Sequence, residues 1–233
     1  MELGHGAWQV TRQVQGPTAV KLELVFFEES TCRLSVASND SRKGARALSQ
    51  FATEAGAIAG CNGGYFRAGG NFGPVGIEIA GGKRARALEP PYPLGGALMV
   101  RQGEAALVWD AEFKDDPALT DYVHCNPWLV SEGRIWKPQE PNRKDVRAAR
   151  TFIATDQQGR WLLGTASPVG LMELAQLLVT QGVITEFPVV RALNLDGGPS
   201  SAFWWRDTQG GTHEQKAGWA VRNVVLVLPR TKG

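Results

Sequence analysis

The chain contains one arrangement twice: an amphipathic helix, then an apolar strand, then a short polar side chain followed by two glycines. The two copies are the helical apolar repeat 48–55, strand 57–61 and Asn62-Gly63-Gly64, and the helical apolar repeat 171–178, strand 189–195 and Asp196-Gly197-Gly198. A polar group at the end of a buried strand, next to backbone without Cβ atoms, can be held rigidly while a ligand approaches the main chain. We therefore predict that the two glycine pairs meet at one cleft.

Capping residues predict where the two helices begin and end. Gly56 is placed to end the first helix. Ser167 is the predicted N-cap of the second helix, Pro168 its first helical position, and Gly182 lies beyond its end.

Most of the remaining chain has the two-residue period of β-strands. We predict a strand on each side of residues 28–30 and hairpins over 98–107, 128–136 and 152–163, each turning at a glycine. The unbroken apolar run 224–228 predicts a central strand covered on both faces. The fold class that follows is α+β, with a mixed β-sheet core, hairpins and two principal helices.

Domain organisation follows from the absence of a linker between the two copies. We predict one domain over residues 20–230 after an N-terminal extension, 1–19, with the proline-rich segments 89–93 and 137–141 as surface loops inside that domain.

Composition excludes several classes of partner. Twenty-five Lys and Arg against 23 Asp and Glu leave a net charge of +2, far from the concentrated positive charge that nucleic acids or anionic membranes require. No apolar run of about 18 residues is present, so we predict no membrane span. Any anion must therefore be bound by a local site.

Metal and disulfide chemistry have little support in the sequence. Cys32, Cys61 and Cys125 are too few for a disulfide scaffold, although one bridge could form, and they lack zinc-site spacing. We predict no metal and no cofactor; a divalent cation held by Asp196, Asn194 and a serine is compatible with the sequence but not demanded by it.

Asp196 is the leading candidate for a catalytic residue, because a carboxylate that ends an apolar strand must be paired, hydrogen-bonded or reactive. An Asp before glycine also closes turns by bonding its own backbone, and both roles stay open on this ground alone. The surrounding short polar groups and free backbone favour a phosphate or sugar site. They are Asn194, Gly197, Gly198, Ser200 and Ser201.

Other candidates lie on the early turn and at strand ends. Asn62 with Gly63 and Gly64 is either a structural turn or a ligand-binding one. Arg150 and Arg222 each precede an apolar strand, where a guanidinium fork could bond two phosphate oxygens or simply be solvated. Glu78 alternates with Ile77 and Ile79, and we expect it on the solvent face of its strand rather than as a second catalytic carboxylate.

Taken together, the two glycine-pair blocks and the segments around them resemble the phosphodiester glycosidase family over about residues 20 to 228. The Asn-Gly-Gly and Asn-Leu-Asp-Gly-Gly blocks are specific only in combination. In order, the matching segments are 61–66, 73–77, 127–133, Arg150-Thr151, 170–178, 192–201 and Arg222-Asn223.

The resemblance implies an α+β hydrolase that cleaves the bond between an anomeric sugar carbon and a phosphodiester oxygen. It implies Asp196 as nucleophile or general base and a small-molecule or glycan phosphodiester as substrate. For the other residues, it implies phosphate binding by Arg150 and Arg222 and substrate hydrogen bonds from Asn62, Asn194 and Ser200. A phosphodiester is already a good leaving group, so one prominent carboxylate with arginine partners suits the reaction.

Three further expectations accompany the resemblance. Pro199 stands where the family usually has a third glycine, which removes an N–H donor and predicts weaker phosphate binding or an altered substrate. We expect a bacterial member, exported to the periplasm or secreted with its signal segment absent from this chain, although three cysteines suit the cytoplasm as well. The alternative function is a noncatalytic carbohydrate- or phosphoglycan-binding protein of cell-envelope or exopolysaccharide processes, because indole faces stack on sugars.

Overall fold

The computed structural model describes residues 1–16, 18–85, 95–136 and 145–230, and most of its regular structure is β-strand. The predicted loops 89–93 and 137–141 lie outside the described residues. The strands are β1 (Glu2–Gly4), β2 (Ala7–Val14), β3 (Val20–Glu28), β4 (Cys32–Ser38), β5 (Ala59–Asn62), β6 (Glu78–Ala80), β7 (Lys83–Arg84), β8 (Gly96–Arg101), β9 (Glu104–Trp109), β10 (Leu119–Cys125), β11 (Trp128–Ser131), β12 (Arg134–Ile135), β13 (Ala148–Thr155), β14 (Arg160–Val169), β15 (Arg191–Asn194), β16 (Phe203–Arg206), β17 (Thr212–Gln215) and β18 (Asn223–Pro229). The helices are α1 (Leu48–Glu54) and α2 (Leu171–Val179), with short 3-10 helices at Asp110–Glu112 and Gly198–Ser200.

The strands form three sheets, which confirms the predicted α+β class in a single domain. Their orders are β1-β2-β3-β14-β13-β15-β11-β12, β7-β6-β10-β8-β9 and β17-β16-β5-β18-β4. Within the described residues the pairs in these orders are antiparallel. The two strands that precede the glycine pairs, β5 and β15, therefore belong to different sheets.

The predicted hairpins are confirmed, and so is the central strand. β8 pairs with β9, β11 with β12, and β13 with β14. β18 lies between β5 and β4 with almost every residue buried. The strands on either side of residues 29–31 also form, but β3 joins the eight-stranded sheet and β4 a five-stranded one.

A central core lies between the sheets, and each helix covers an outer face. The central cluster includes Cys61 and Val225 from the sheet of β18, Leu193 from the eight-stranded sheet, and Leu98 from the sheet of β8. Residues of α2 pack with the eight-stranded sheet and residues of α1 with the sheet of β18. This shared core fixes the spacing between β5 and β15.

The start of α2 differs from the prediction. Ser167 and Pro168 belong to β14, and Gly170 is the N-cap. The Ser167 hydroxyl accepts a hydrogen bond from the Lys21 backbone N–H, so the sheet holds this residue and it cannot cap the helix. The carboxylate of Asp145 accepts the first N–H groups of α2 instead, which sequence spacing could not reveal.

The glycines predicted to follow the helices take left-handed backbone conformations. Gly56 has φ +65° just after α1, and Gly182 has φ +78° beyond α2. Both positions are conformations that glycine adopts more readily than other residues.

The N-terminal residues continue the eight-stranded sheet. β2 pairs with β3 along its length, and β1 pairs with β2. The predicted boundary at residue 20 therefore falls beside a sheet that residues 2–14 extend, and it stays a prediction. Among the described residues, no helix has the length and apolar character needed to cross a membrane.

Candidate functional site

The two glycine-pair turns contact each other directly, although they lie more than 130 positions apart in the chain. The side-chain amide of Asn62 donates to the main-chain carbonyl of Asp196 at 2.6 Å. The Asp196 backbone N–H donates to the Gly63 carbonyl at 3.0 Å. The ends of β5 and β15 are thus joined at the boundary between two sheets, as the repeated arrangement predicted.

The side-chain oxygen of Asn62 accepts hydrogen bonds from two other segments of the protein. Its Oδ1 accepts from the Thr151 hydroxyl at 2.8 Å and from the Ala202 backbone N–H at 3.0 Å. The residue is only 1% exposed. This amide therefore orients the Asp196 turn, and its predicted hydrogen bond to substrate stays a prediction.

The glycines allow the segments around Asp196 to approach one another closely. A Cβ at Gly63 would lie 2.1 Å from Asn223 Oδ1, and one at Gly64 would lie 2.2 Å from the His124 carbonyl oxygen. At Gly197 a Cβ would meet the Ala149 carbonyl at 2.7 Å. A side chain at any of these three positions would force neighbouring backbone or a buried amide to move.

The Asp196 carboxylate is partly buried and receives two hydrogen bonds. Its Oδ1 accepts from the Gly197 backbone N–H at 2.8 Å, and the Ser200 hydroxyl also bonds the carboxylate. Burial raises the pKa of Asp196 above its usual range, because desolvation outweighs the opposing effect of these two donors. The carboxylate is therefore held in one orientation in a partly desolvated place.

Tyr65 and Asn194 form a polar group next to this carboxylate. The Tyr65 hydroxyl donates to the Asn126 carbonyl at 2.7 Å and accepts from the Asn194 side-chain amide at 2.9 Å. Burial raises the pKa of Tyr65, the negative charge of Asp196 raises it further, and the positive charge of Arg150 opposes this. The sequence did not predict this pair of hydrogen bonds, since nothing in the local pattern around Tyr65 indicates a partner at Asn126.

The side-chain oxygen of Asn194 is buried without a hydrogen-bond partner among the described residues. Buried polar atoms are nearly always paired, so an unpaired acceptor on a residue that bonds Tyr65 is unusual. A substrate hydroxyl is one group that could donate to it. The predicted substrate role of Asn194 is compatible with this geometry and stays a prediction.

Arg150 is half-buried at the start of β13, close to the Asp196 turn. Its Nε donates to the Val169 carbonyl at 3.2 Å and its Nη2 to the Val146 carbonyl at 2.5 Å. The Arg150 Cα is 3.8 Å from the position that a Gly197 Cβ would take. These contacts hold the guanidinium in a defined orientation, and its positive charge acts on Tyr65.

Arg222 lies in a buried ion pair with Glu78. Its Nη2 and Nε donate to Glu78 Oε1 at 2.7 and 3.0 Å, and the two side chains are only 8% and 3% exposed. The expectation that Glu78 lies on the solvent face is therefore wrong, because Arg222 and the Asn223 amide neutralise and bond it inside the protein. The predicted contact of Arg222 with phosphate has no support in these hydrogen bonds.

The same ion pair supports the early glycine turn. Asn223 Nδ2 donates to Glu78 Oε2 at 2.6 Å, while Asn223 Oδ1 accepts from the Gly64 backbone N–H at 2.7 Å. Glu78 therefore fixes the amide that fixes Gly64. Sequence reasoning missed this role, since the partners are about 145 positions apart.

The remaining predicted residues follow Asp196 in or directly next to the short 3-10 helix Gly198–Ser200. Gly198 has φ +58°, and the Ser201 hydroxyl is buried with no partner in the described part of the chain. Ser200 is fully buried, and its hydroxyl accepts from the Trp219 indole N–H at 2.8 Å. The Pro199 carbonyl accepts from the Gly218 N–H at 2.7 Å, so this proline joins a second loop to the site.

The described residues contain no cluster of metal ligands, and their cysteines are poor nucleophiles. Within residues 1–16, 18–85, 95–136 and 145–230, no group of three or more His, Cys, Asp or Glu side chains could hold a metal ion. Cys32, Cys61 and Cys125 are free and buried, so the disulfide that the sequence allowed does not form. Burial raises the pKa of the Cys61 and Cys125 thiols, which argues against either as a nucleophile.

Comparisons with known proteins identify a family from the sequence and a fold from solved structures. Residues 55–228 match the sequence model described as phosphodiester glycosidase. A search of curated proteins found no match.

Solved structures with the same fold have low sequence identity to this chain. The catalytic domain of zebrafish N-acetylglucosamine-1-phosphodiester alpha-N-acetylglucosaminidase, auto-inhibited by pro-peptide, is 18% identical with a TM-score of 0.72, over 96% of this chain and 83% of that one. A hypothetical protein from Synechocystis is 15% identical (TM-score 0.61, 97% of this chain and 62% of that one). A putative exported protein from Burkholderia pseudomallei is 15% identical (TM-score 0.60, 92% and 75%). At these identities the likeness establishes the fold.

Proposed function

The chain belongs to the phosphodiester glycosidase family, and we propose that it hydrolyses the bond between the anomeric carbon of a sugar and the oxygen of a phosphodiester. The observation that carries the proposal is the Asp196 carboxylate, held by Gly197 and Ser200 where two sheets meet. The zebrafish protein of this fold bears the name of an enzyme that acts on such a phosphodiester.

In the proposed reaction the C1–O bond of the sugar breaks, and its electron pair leaves on the phosphate oxygen. Asp196 either removes a proton from the water that attacks C1, or attacks C1 itself to form a glycosyl ester that water then hydrolyses. By both routes the products are a free sugar and a phosphomonoester. Because the leaving phosphate oxygen is weakly basic, the reaction has little need of a strong general acid. The raised pKa of Tyr65 and the bond of its proton to the Asn126 carbonyl make this hydroxyl a poor general acid. That agrees with a reaction that does not need a strong one.

We assign the phosphate to Arg150 rather than to Arg222. The Arg150 charge acts on Tyr65, on which the Asp196 charge also acts, whereas the guanidinium of Arg222 is bonded to Glu78 in the interior. A phosphate anion beside Arg150 would bring its attached sugar carbon towards the carboxylate of Asp196. The unpaired Asn194 oxygen and the Ser201 hydroxyl are proposed to bond sugar hydroxyls.

Release of reducing sugar from a panel of sugar-1-phosphodiesters tests the proposal. We expect release by the wild-type protein and a loss of about 10²–10⁴-fold or more in Asp196→Asn, the range for a positioned proton-transfer group. The matched control is Asp207→Asn. Asp207 lies in the turn that follows β16, at the opposite end of that strand from Ala202, and this variant should remain active.

Two results would contradict the proposal at different levels. Full activity in Asp196→Asn would remove this carboxylate from the mechanism. No release from any diester would favour the noncatalytic carbohydrate-binding alternative, although a binder has no evident reason to place a carboxylate close to an anionic phosphate.

A further inference from the structure

The Trp219 side chain is exposed, and a hydrogen bond holds the N–H edge of its indole. The residue is 41% exposed, while its indole Nε1 donates to Ser200 Oγ at 2.8 Å. The preceding residue, Gly218, donates its N–H to the Pro199 carbonyl at 2.7 Å. Two hydrogen bonds therefore fix the Trp219 loop to the segment that follows Asp196.

The direction of these bonds connects Trp219 to the carboxylate. An indole N–H can only donate, so the Ser200 oxygen accepts, and the single hydroxyl proton is left to donate to Asp196. Ser200 is 0% exposed, which keeps water from competing for either bond. Trp219 thus sets the orientation of Ser200, and the indole edge lies only two hydrogen bonds from the carboxylate of Asp196.

The exposed face of this indole has no evident role in the packing of the protein. Large aromatic rings in water leave apolar area unburied, and tryptophan is favoured where an apolar body faces a ligand and a polar edge is bonded. The C–H face of a pyranose ring is an apolar surface of matching shape. The hydrogen bond to Ser200 holds the indole ready for such a contact, so little side-chain entropy is lost on binding.

We propose that Trp219 is the platform on which the pyranose ring carrying the reacting anomeric carbon stacks. The inference rests on the proposed function, and it narrows the substrate class to pyranosyl phosphates and phosphodiesters. A phosphodiester without a sugar ring would bind the same phosphate partner, Arg150, but would make no stacking contact with the indole. The site then distinguishes substrates by the ring as well as by the phosphate.

Calorimetric titration with two probes tests the platform independently of turnover. The probes are glucose 1-phosphate, which carries a pyranose ring, and glycerol 3-phosphate, which does not. We expect Trp219→Ala to bind glucose 1-phosphate about tenfold more weakly, as the loss of an aromatic contact implies, and glycerol 3-phosphate unchanged. Trp219→Phe, which retains a ring, should bind glucose 1-phosphate within about threefold of wild type.

Trp8→Ala is the matched control for the loss of an exposed indole. Trp8 is 49% exposed on β2, which β3, β14 and β13 separate from β15 in the sheet. This variant should bind both probes like the wild-type protein. Melting temperatures of all variants establish that they are folded, and an exposed side chain should change them little.

The outcomes separate the platform from the reaction. Unchanged glucose 1-phosphate binding in a folded Trp219→Ala protein would overturn the platform, as would a wild-type protein that binds neither probe. Sugar release together with an unchanged KM in Trp219→Ala would overturn the platform and leave the proposed reaction standing. Binding that depends on Trp219 without release from any diester would support the platform and reject the reaction.

Discussion

The side-chain amide of Asn62 donates a 2.6 Å hydrogen bond to the main-chain carbonyl of Asp196. The donor ends a strand of one sheet, and the acceptor follows a strand of another. Because the Asn62 oxygen is bonded to Thr151 and Ala202, the amide cannot rotate without breaking contacts to two further segments. Asn62 therefore determines where the main chain beneath the catalytic candidate lies.

Replacing Asn62 by Asp tests this role with an almost isosteric side chain. The variant keeps both acceptor contacts, but it places an oxygen against the Asp196 carbonyl in place of a donor. We expect a loss of about 1–3 kcal/mol in the free energy of unfolding and reduced turnover. Asn71→Asp is the control, since its exposed Oδ1 accepts from the Gly73 N–H and the change should cost no more than about 0.5 kcal/mol. Equal stability of the two variants in urea denaturation would contradict the prediction.

Truncating Glu78 should be strongly destabilising, because it leaves the Arg222 guanidinium buried without its partner. We expect Glu78→Ala to lower the free energy of unfolding by about 3–5 kcal/mol. The comparison is Glu54→Ala, which breaks an exposed ion pair with Arg46 and should cost about 0–1 kcal/mol. Chemical denaturation of the two variants measures both losses. A similarly small loss at both sites would show that burial of Arg222 does not require Glu78 as its partner.

A methyl group at Gly64 should disturb the early turn. Its Cβ would lie 2.2 Å from the His124 carbonyl oxygen and 2.7 Å from a Val123 methyl group, so backbone must move. We expect Gly64→Ala to cost at least about 1–3 kcal/mol and to lower turnover. Gly69→Ala, whose Cβ meets nothing within 4 Å, should leave both unchanged, and thermal melts with assays of both variants decide the matter.

The pH dependence of activity should follow the raised pKa of Asp196. Attack at C1 or deprotonation of water needs the ionised carboxylate, so kcat/KM should rise with pH through a pKa above the usual value of about 3.9 for Asp. The Asp196 charge acts on Tyr65 and Cys125, and burial raises the pKa of both, which keeps their protons in place at neutral pH. A pH profile of kcat/KM with its acidic limb at or below the ordinary range would contradict the assignment.

The same raised pKa fixes the sign of its contribution to stability. The folded protein holds the Asp196 proton more tightly than the unfolded chain, so ionised Asp196 lowers stability as pH rises through this window. Asp196→Asn should therefore be at least as stable as the wild-type protein at pH 7. The two proteins should converge at acidic pH, where the carboxyl is protonated in both states, and thermal melts at the two pH values test this.

Sequence pattern predicted what depends on neighbouring residues. The hairpins of β8, β11 and β13 turn where glycine follows a polar residue, and the apolar run 224–228 forms a central strand. Two matching glycine-pair blocks were also enough to predict that the ends of β5 and β15 meet. Local chemistry determines the hairpin turns and the central strand, whereas the meeting of the two turns was predicted from the likeness of their sequences.

Long-range hydrogen bonds account for what the sequence could not predict. Glu78 alternates with isoleucines like any solvent-facing residue, and only the fold brings Arg222 and Asn223 to it. In the same way Ser167 is recruited by Lys21 in β3, and Asp145 caps the helix in its place. The link from Trp219 through Ser200 to Asp196 crosses two loops and leaves no local pattern.

The amide and the carboxylate belong to separate layers that share one apolar interior. Misplacement of reacting groups by about 1 Å can reduce rates by 10²-fold. Enlarging or shrinking a side chain between the layers, such as Leu193 or Val225, would shift one turn relative to the other while every strand stays paired. Catalytic rate would then report the spacing of the layers, whereas a melting curve would report the lost packing.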